Sequence, residues 1–251
     1  MEIIIVDIET TGFYNSDAIV EIAVALVDTK TKESYLLFDN VVKDKKFNPL
    51  KHSKSWIFQN TTLKVDDVLV SKPLEHHFDE LQGIFDKYPM TAYNKPFDLR
   101  FLRACGFKIK DIDCLMKRAT QYSNYADKNG RVKKPSVEEI YNQFFVTDGQ
   151  TYIEKHRAGA DVMDEAKILL HMVDLKADKS VNRPLIIVEK KKDNRNKLID
   201  IDHVITFGKY KNKIFSELVT EDPNYLKWCV KAITTFKITP EARKLLYGDK
   251  N

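Results

Sequence analysis

The sequence of 251 residues contains no apolar stretch near the roughly 20 residues that a transmembrane helix needs, which excludes a helical membrane protein. It has only three cysteines, Cys105, Cys114 and Cys229, and this odd, scattered set argues against a disulfide framework. The N-terminus lacks the basic start and the small-residue cleavage site of a secretory signal peptide. We therefore expect a cytoplasmic protein in a reducing compartment.

The composition is that of a globular chain, with 43% hydrophobic and 31% charged residues. The net charge of +4 conceals an asymmetry along the sequence. Residues 1–175 carry 24 basic and 27 acidic side chains, whereas residues 176–251 carry 17 basic and 10 acidic ones. A basic C-terminal third favours a polyanionic partner such as nucleic acid, although a solvated lysine-rich surface would give the same composition.

The hydrophobic pattern changes from strands to helices along the chain. Three β-branched runs at 2–8, 19–27 and 33–42 have short connections, which predicts an antiparallel meander. Helical spacing follows, with a short buried strand expected at 90–93. We expect helices opening at Pro73, over 97–105, from Ser136 and over 159–175.

The predicted organisation is one domain over residues 1–175, a charged linker over 176–199 and a small basic module over 200–251. In the module we expect a hairpin formed by residues 204–210 and 214–215. A helix over 225–232 and a last helix opening at Pro240 should follow it.

Two acidic residues end the first predicted strand. Asp7 and Glu9 are two positions apart, so their side chains project from the same side of the strand. Two negative charges this close disfavour each other's ionisation, and a divalent cation removes that cost. Carboxylate oxygens are the ligands that Mg²⁺ and Mn²⁺ prefer, although one member of such a pair can equally face solvent at a strand end.

Two further carboxylates lie at the starts of predicted helices. Asp98 lies just inside one helix, and Asp161 begins the last long one, five residues after His156. Each alone would stabilise the helix dipole. Four such carboxylates with one loop histidine fit a two-metal phosphodiesterase site.

Three short sequence segments carry these five residues. They are Asp-Ile-Glu-Thr-Thr-Gly at 7–12, Asn-Lys-Pro-Phe-Asp-Leu-Arg-Phe-Leu at 94–102 and His-Arg-Ala-Gly-Ala-Asp at 156–161. They resemble the three motifs of the DnaQ-like, or DEDDh, 3′–5′ exonucleases, over residues 1 to about 175. The resemblance implies an α/β, ribonuclease H-like fold: a mixed five-stranded sheet flanked by helices.

The resemblance also implies the chemistry of the site. Two Mg²⁺ or Mn²⁺ ions would be held by four carboxylates, and His156 would act as the general base in the release of nucleoside 5′-monophosphates from a 3′ end. Further substrate contacts would come from Thr10, Thr11, Gly12 and Asn94, with Glu9 near the terminal 3′-hydroxyl. The four implied metal ligands are Asp7, Glu9, Asp98 and Asp161.

Two departures from the family pattern leave the handling of the substrate open. Tyr93 stands where many members have a histidine before the asparagine. The segment 57–62 also differs from the usual family sequence in a region that often helps to separate the terminal nucleotide.

The C-terminal module has a resemblance of its own. Residues 206–218 and 222–228 are similar to a small domain of exodeoxyribonuclease X-like proteins. We expect Lys209, Lys211 and Lys213 to bind a phosphate backbone. Nearby aromatic residues could stack on bases, but we expect Trp228 to belong to the hydrophobic core of this small module.

The favoured hypothesis is a metal-dependent 3′–5′ exonuclease that acts on single-stranded or frayed DNA ends, with DNA preferred to RNA as the partner. Three alternatives stay open: a 3′–5′ exoribonuclease, a proofreading subunit that acts with a DNA polymerase, and a non-catalytic nucleic-acid-binding protein.

Overall fold

The computed structural model describes residues 1–14, 16–147, 150–175, 186–187, 198–205, 208–233 and 236–248. The chain divides into two compact units, Met1–Val188 and Glu189–Asn251. None of the helices in the described ranges is long and apolar enough to cross a membrane.

The first unit is built on a mixed sheet that contains the predicted meander. Its strands are β1 (Glu2–Thr10), β2 (Ile19–Asp28), β3 (Glu33–Val41) and β4 (Met90–Thr91). The order is β3-β2-β1-β4, in which β1 and β4 are parallel and the other pairs antiparallel. The apolar runs of β1 and β2 are buried on both faces, whereas β3 at the edge is largely exposed.

The described part of this sheet has four strands, not the predicted five. The segment beside β4 forms a single parallel bridge between Met90 and Asp111. Pairing stops there because the carbonyl of Ala92, just after β4, accepts a hydrogen bond from the amide of Leu115, where a helix begins. Among the described residues, a single bridge followed by the beginning of a helix therefore stands where the fifth strand is predicted.

Helices cover both faces of the sheet. A 3-10 turn at Leu74–His77 precedes the helix predicted from Pro73, and Ser136 forms the predicted capping box with Glu139. The predicted long helices are confirmed, while three short ones before residue 71 were not predicted. The helices are α1 (Pro49–His52), α2 (Trp56–Asn60), α3 (Val65–Val70), α4 (Phe78–Lys87), α5 (Lys95–Ala104), α6 (Leu115–Ala119), α7 (Val137–Phe145) and α8 (Ala158–Asp174).

The alternation of side chains along β1 decides which layer faces the acidic residues. Ile4, Val6 and Ile8 pack in the core on the side of α4 and α5. Ile3 and Ile5 pack on the other side, in the core that includes residues of α8. Asp7 and Glu9 continue this second set, so the period of two directs both carboxylates to the face that α8 covers.

A two-stranded parallel sheet joins β5 (Tyr125–Ala126) to β6 (Ile186–Ile187). The strand β6 falls within the predicted linker of residues 176–199. Most of that linker, residues 176–185 and 188–197, lies outside the described residues. The predicted domain boundaries remain predictions.

The second unit contains α9 (Phe215–Glu221), α10 (Pro223–Ala232) and α11 (Pro240–Tyr247). Of the predicted hairpin, the described residues show a bridge between Val204 and Ile214, and the Ile205 amide donates to the Lys213 carbonyl at 2.8 Å. Phe215 then begins a helix and buries its ring. The expectation that Trp228 belongs to the core is wrong: its neighbours Leu226 and Cys229 face inwards along α10, and Trp228 is 57% exposed. Thr206 and Phe207, from the predicted nucleic-acid-binding segment, lie outside the described residues.

Candidate active site

The first two carboxylates of the site come from the end of β1. Asp7 and Glu9 are partly buried on the α8 face of the sheet. Glu9 lies opposite Glu21 of β2 in the antiparallel register. A strand held by neighbours on both sides gives these two side chains a fixed spacing.

The third carboxylate, Asp98, lies in the first turn of α5. The helix begins after Asn94, with Pro96 in its first turn, where a missing backbone N–H costs nothing. Asp98 is only 4% exposed, and the backbone amide of Ile8 binds its carboxylate. This bond places Asp98 directly beside the strand segment that carries Asp7 and Glu9.

The fourth carboxylate, Asp161, lies in the first turn of α8 and is 1% exposed. The backbone N–H of Arg157 donates to Asp161 Oδ2 at 2.9 Å, which closes the turn between the preceding loop and the helix. A Cβ at Gly159 in this turn would lie 2.1 Å from the Asp39 carboxylate of β3, so any larger residue would have to displace that side chain. The start of α8 is therefore pressed closely against the sheet.

His156 reaches the carboxylates from the loop before α8. Its backbone φ of 51° lies in the left-handed region, which costs a non-glycine residue about 1–3 kcal/mol and occurs preferentially at functional sites. One ligand atom each of Glu9, His156 and Asp161 lie within 4.8 Å of one another. The edge of Trp56 meets the imidazole at a centroid distance of 4.8 Å and an angle of 90°.

The side chains open into a shared cavity of about 300 Å³. Three of the predicted carboxylates and His156 line it, and Asp161 joins them through its contacts with Glu9 and His156. Two glutamates that the motifs did not identify, Glu154 and Glu165, also line it. The remaining lining residues are Ile8, Tyr93, Asn94, Phe97, Met116, Pro135, Ser136 and Val137.

The electrostatics of the site are dominated by buried negative charge. Burial raises the pKa of Asp7 well above its usual value, and the neighbouring carboxylates, with Glu165 first among them, raise it further. Burial likewise raises the pKa of Glu9 and of Asp98 to about 8. The pKa of Asp161 rises to about 6 for the same main reason. Carboxylates this crowded must bind protons or cations.

The residues present fit a hard divalent cation. Asp161 Oδ1 and Glu165 Oε2 are buried and have no hydrogen-bond partner within the described part of the chain. Buried polar atoms in proteins are nearly always paired, so two orphaned carboxylate oxygens in one acidic cluster indicate where a cation would bind. Oxygen donors with one imidazole suit hard divalent ions.

Sequence reasoning missed three residues of this site. Glu165 follows Asp161 by four residues and therefore shares its helix face, which was the available signal. Glu154 precedes His156 by two residues in a loop, and no periodicity marks it. Trp56 lies in a short helix about 100 residues away, and only the fold brings it to His156.

Of the residues predicted to contact the substrate, one lines the cavity and two have side chains bonded within the turn after β1. Asn94 lines the cavity. The Thr10 hydroxyl donates to the carbonyl of Gly12 at 2.8 Å, and the Thr11 hydroxyl accepts from the Ala18 amide at 2.9 Å. The two threonine side chains thus stabilise the turn after β1. The backbone of this turn comes directly after Glu9 in the sequence.

The three predicted lysines lie in the second unit. Lys209 pairs with Asp222 at 3.0 Å, and Lys213 pairs with Glu221 at the same distance, while Lys211 is exposed. The Lys209 ammonium also lies 4.6 Å from the ring centre of Tyr210.

Two family models match the chain. The exonuclease family matches residues 4–169, and the exodeoxyribonuclease X-like C-terminal family matches residues 205–234. No curated protein matches the chain significantly.

Three solved structures with a similar fold are distant from this chain in sequence. A 3′-exonuclease, from a structure describing 3′-end specific recognition of histone mRNA stem-loop, is 15% identical with a TM-score of 0.52, covering 68% of this chain and 81% of that one. Cell-death related nuclease 4 is 13% identical with a TM-score of 0.52, covering 69% of this chain and 64% of that one. Exonuclease I of E. coli, in complex with a dA16 oligonucleotide, is 16% identical with a TM-score of 0.50. The match covers 68% of this chain and 40% of that one.

Proposed function

This chain belongs to the exonuclease family, and we propose that it is a 3′–5′ exonuclease that degrades DNA from single-stranded or frayed 3′ ends with two divalent metal ions. The observation that carries the proposal is the convergence of the four motif carboxylates and His156 at one end of the sheet. Residues from β1, α5 and α8 meet there although they are far apart in sequence.

Asp7, Glu9, Asp98 and Asp161 would hold the ions, for which Mg²⁺ or Mn²⁺ is the natural choice with oxygen ligands. Bound divalent ions neutralise the carboxylates and stabilise the charge that develops on the scissile phosphate. Without a cation, these buried carboxylates have to take up protons. This cost of leaving them charged and unpaired favours the binding of the ions.

His156 would act as the general base. Burial lowers the pKa of its imidazole, so the ring is neutral at neutral pH and can accept a proton from the attacking water. The water oxygen then bonds to phosphorus, and the bond from phosphorus to the 3′ oxygen of the shortened strand breaks. The products are a nucleoside 5′-monophosphate and a new 3′-hydroxyl.

One observation supports DNA as the substrate: the C-terminal match is to a family named for an exodeoxyribonuclease. The basic residues beyond residue 175 favour a long polyanionic strand over a dinucleotide, for DNA and RNA alike. The similar solved structures name both a dA16 oligonucleotide and a histone mRNA stem-loop, so they support a nucleic acid without choosing between DNA and RNA.

Lys209, Lys211 and Lys213 would bind the phosphate backbone of the strand. Lys211 is exposed, and the ion pairs of the other two are surface pairs of the kind that contribute little to stability. A polyanion can therefore displace Asp222 and Glu221 from these ammonium groups.

The test is a time course of the full chain on matched 5′-labelled single-stranded DNA and RNA with Mg²⁺, beside Asp7→Asn and an EDTA control. A descending ladder on DNA that both controls abolish is the expected result. A ladder on RNA alone would contradict the DNA assignment in favour of an exoribonuclease. No ladder on either strand would contradict independent activity and direct attention to a polymerase partner.

A further inference from the structure

The metal site contains one buried carboxylate more than its motifs account for. Glu165 lies on α8 one helical turn after Asp161, is 2% exposed and lines the same cavity as Asp7 and Asp98. It lies on the buried face of the helix together with Val162 and Leu169, which both belong to the core.

Within the described part of the chain, the surroundings of Glu165 offer it no permanent cationic partner. The backbone of Tyr93 binds its carboxylate, but Oε2 has no partner among the described residues. None of the described residues that line the cavity is a lysine or an arginine. Burying a carboxylate without a counter-charge costs several kcal/mol or forces it to take up a proton. A cation in the cavity removes this cost.

Asp7, Glu9, Asp98 and Asp161 would supply the direct ligands of the cation, which leaves Glu165 an indirect contact with it through water. Mg²⁺ sheds its waters reluctantly and usually keeps several of them when it binds to proteins. A carboxylate just beyond the direct ligands is well placed to accept hydrogen bonds from such waters.

We propose that Glu165 is a fifth carboxylate of the metal centre, a positioning residue that accepts a hydrogen bond from a water ligand of the cation. This inference rests on the proposed metal-dependent function. It assigns Glu165 a role in binding the ion and fixing its waters, whereas a purely structural Glu165 would only bind the backbone of Tyr93.

The test is the affinity of the full chain for Mn²⁺ alone, measured by calorimetry without nucleic acid. Glu165→Gln keeps the size of the side chain and an oxygen for the Tyr93 amide, but removes the charge. Since outer-shell partners of metal sites typically contribute 10–100-fold to metal affinity, we expect Glu165→Gln to weaken Mn²⁺ binding by about 10-fold or more.

The matched control is Asp164→Asn. Asp164 is the adjacent residue on α8, and its carboxylate accepts from the Tyr152 hydroxyl outside the cavity lining. Its variant also loses one negative charge and should bind Mn²⁺ as the wild type does. Wild-type affinity in folded Glu165→Gln, or equal losses in both variants, would overturn the assignment.

A second measurement covers the case in which Glu165→Gln does not fold. In a crystal structure of the wild-type chain grown with Mn²⁺, a water bound to the ion should donate to the Glu165 carboxylate. A metal site in which no such water contacts Glu165 would refute the proposal. Failure of the wild type and of Asp164→Asn to bind Mn²⁺ at all would instead overturn the metal-dependent function itself.

Discussion

Arg157 binds both carboxylate oxygens of Glu21, with three N···O distances of 2.7–3.0 Å across 136 residues of sequence. The Ala158 amide donates to the same carboxylate at 3.2 Å. Because Glu21 pairs with Glu9 across β1 and β2, this contact fixes the loop that carries His156 to the strand pair that carries Glu9. It thereby holds together two parts of the active site.

We predict that Arg157→Met destabilises the protein and lowers activity. Glu21 is 2% exposed and would keep a buried charge without its partner, which costs about 3–5 kcal/mol for a fully buried pair. The Arg157 side chain is 35% exposed, so we expect the lower end of this range. Urea unfolding measures the free energy, and the exposed Arg131, changed to Met, is the control. Equal stability of the two variants would show that the contact does not position the loop.

The stability of the metal-free protein should fall as the pH rises. The folded-state pKa of Glu9 and of Asp98 is about 8, against ordinary values of 4.5 and 3.8. A group whose pKa is higher in the folded state stabilises the fold fully at pH values below its unfolded-state pKa. This stabilisation is lost as the pH rises through its folded-state pKa. Between about pH 4 and pH 8 the melting temperature in EDTA should therefore decrease, and Mg²⁺ should restore it.

A variant identifies the groups that cause this dependence. Asp98→Asn removes one of the titrating carboxylates, so its melting temperature in EDTA should vary less between pH 4 and pH 8 and lie above that of the wild type at pH 8. Its exonuclease activity should be abolished. An unchanged pH dependence in this variant would mean that Asp98 is not part of the crowded cluster.

The acidic pair on β1 could be predicted from the sequence because two positions of a strand share one face. Asp7 and Glu9 lie on the face that α8 covers, and Asp98 and Asp161 lie in the first turns of helices as expected. Glu165 could not be assigned, since spacing along a helix shows which residues share a face but not what that face meets. Only packing of α8 against β1 places it in the cavity.

The sequence and the structure differ mainly in short elements. Among the described residues, the fifth strand of the predicted sheet is represented by a single bridge, because the Ala92 carbonyl is used by the start of α6. Trp228 is expected in the core because the module is small, but on α10 its neighbours Leu226 and Cys229 take the buried positions. In so small a unit, a shift of one residue along the helix decides whether a large aromatic residue is buried.

His156→Ala should lower the rate of hydrolysis while it preserves the fold. Loss of a general base typically costs about 10²–10⁴-fold in rate. Single-turnover kinetics on a short 5′-labelled DNA strand measures this step separately from product release. Unchanged single-turnover rates would remove His156 from the role of base. His76→Ala, at an exposed histidine that does not line the cavity, serves as the control.

The last prediction concerns Lys209, Lys211 and Lys213, which we propose as phosphate-binding residues. Changing all three to alanine should weaken binding to a long single-stranded DNA and reduce the slope of log affinity against log salt by about 2, since each phosphate contact contributes roughly 0.7. Hydrolysis of a very short strand should be unaffected, because it depends on the first unit. The control is a triple alanine variant of exposed lysines in that unit, Lys30, Lys108 and Lys134, which changes the net charge equally.

If both triple variants shift the slope alike, general attraction to a basic chain explains the binding. In that case Lys209, Lys211 and Lys213 would have no specific role, and the module would serve a partner other than DNA.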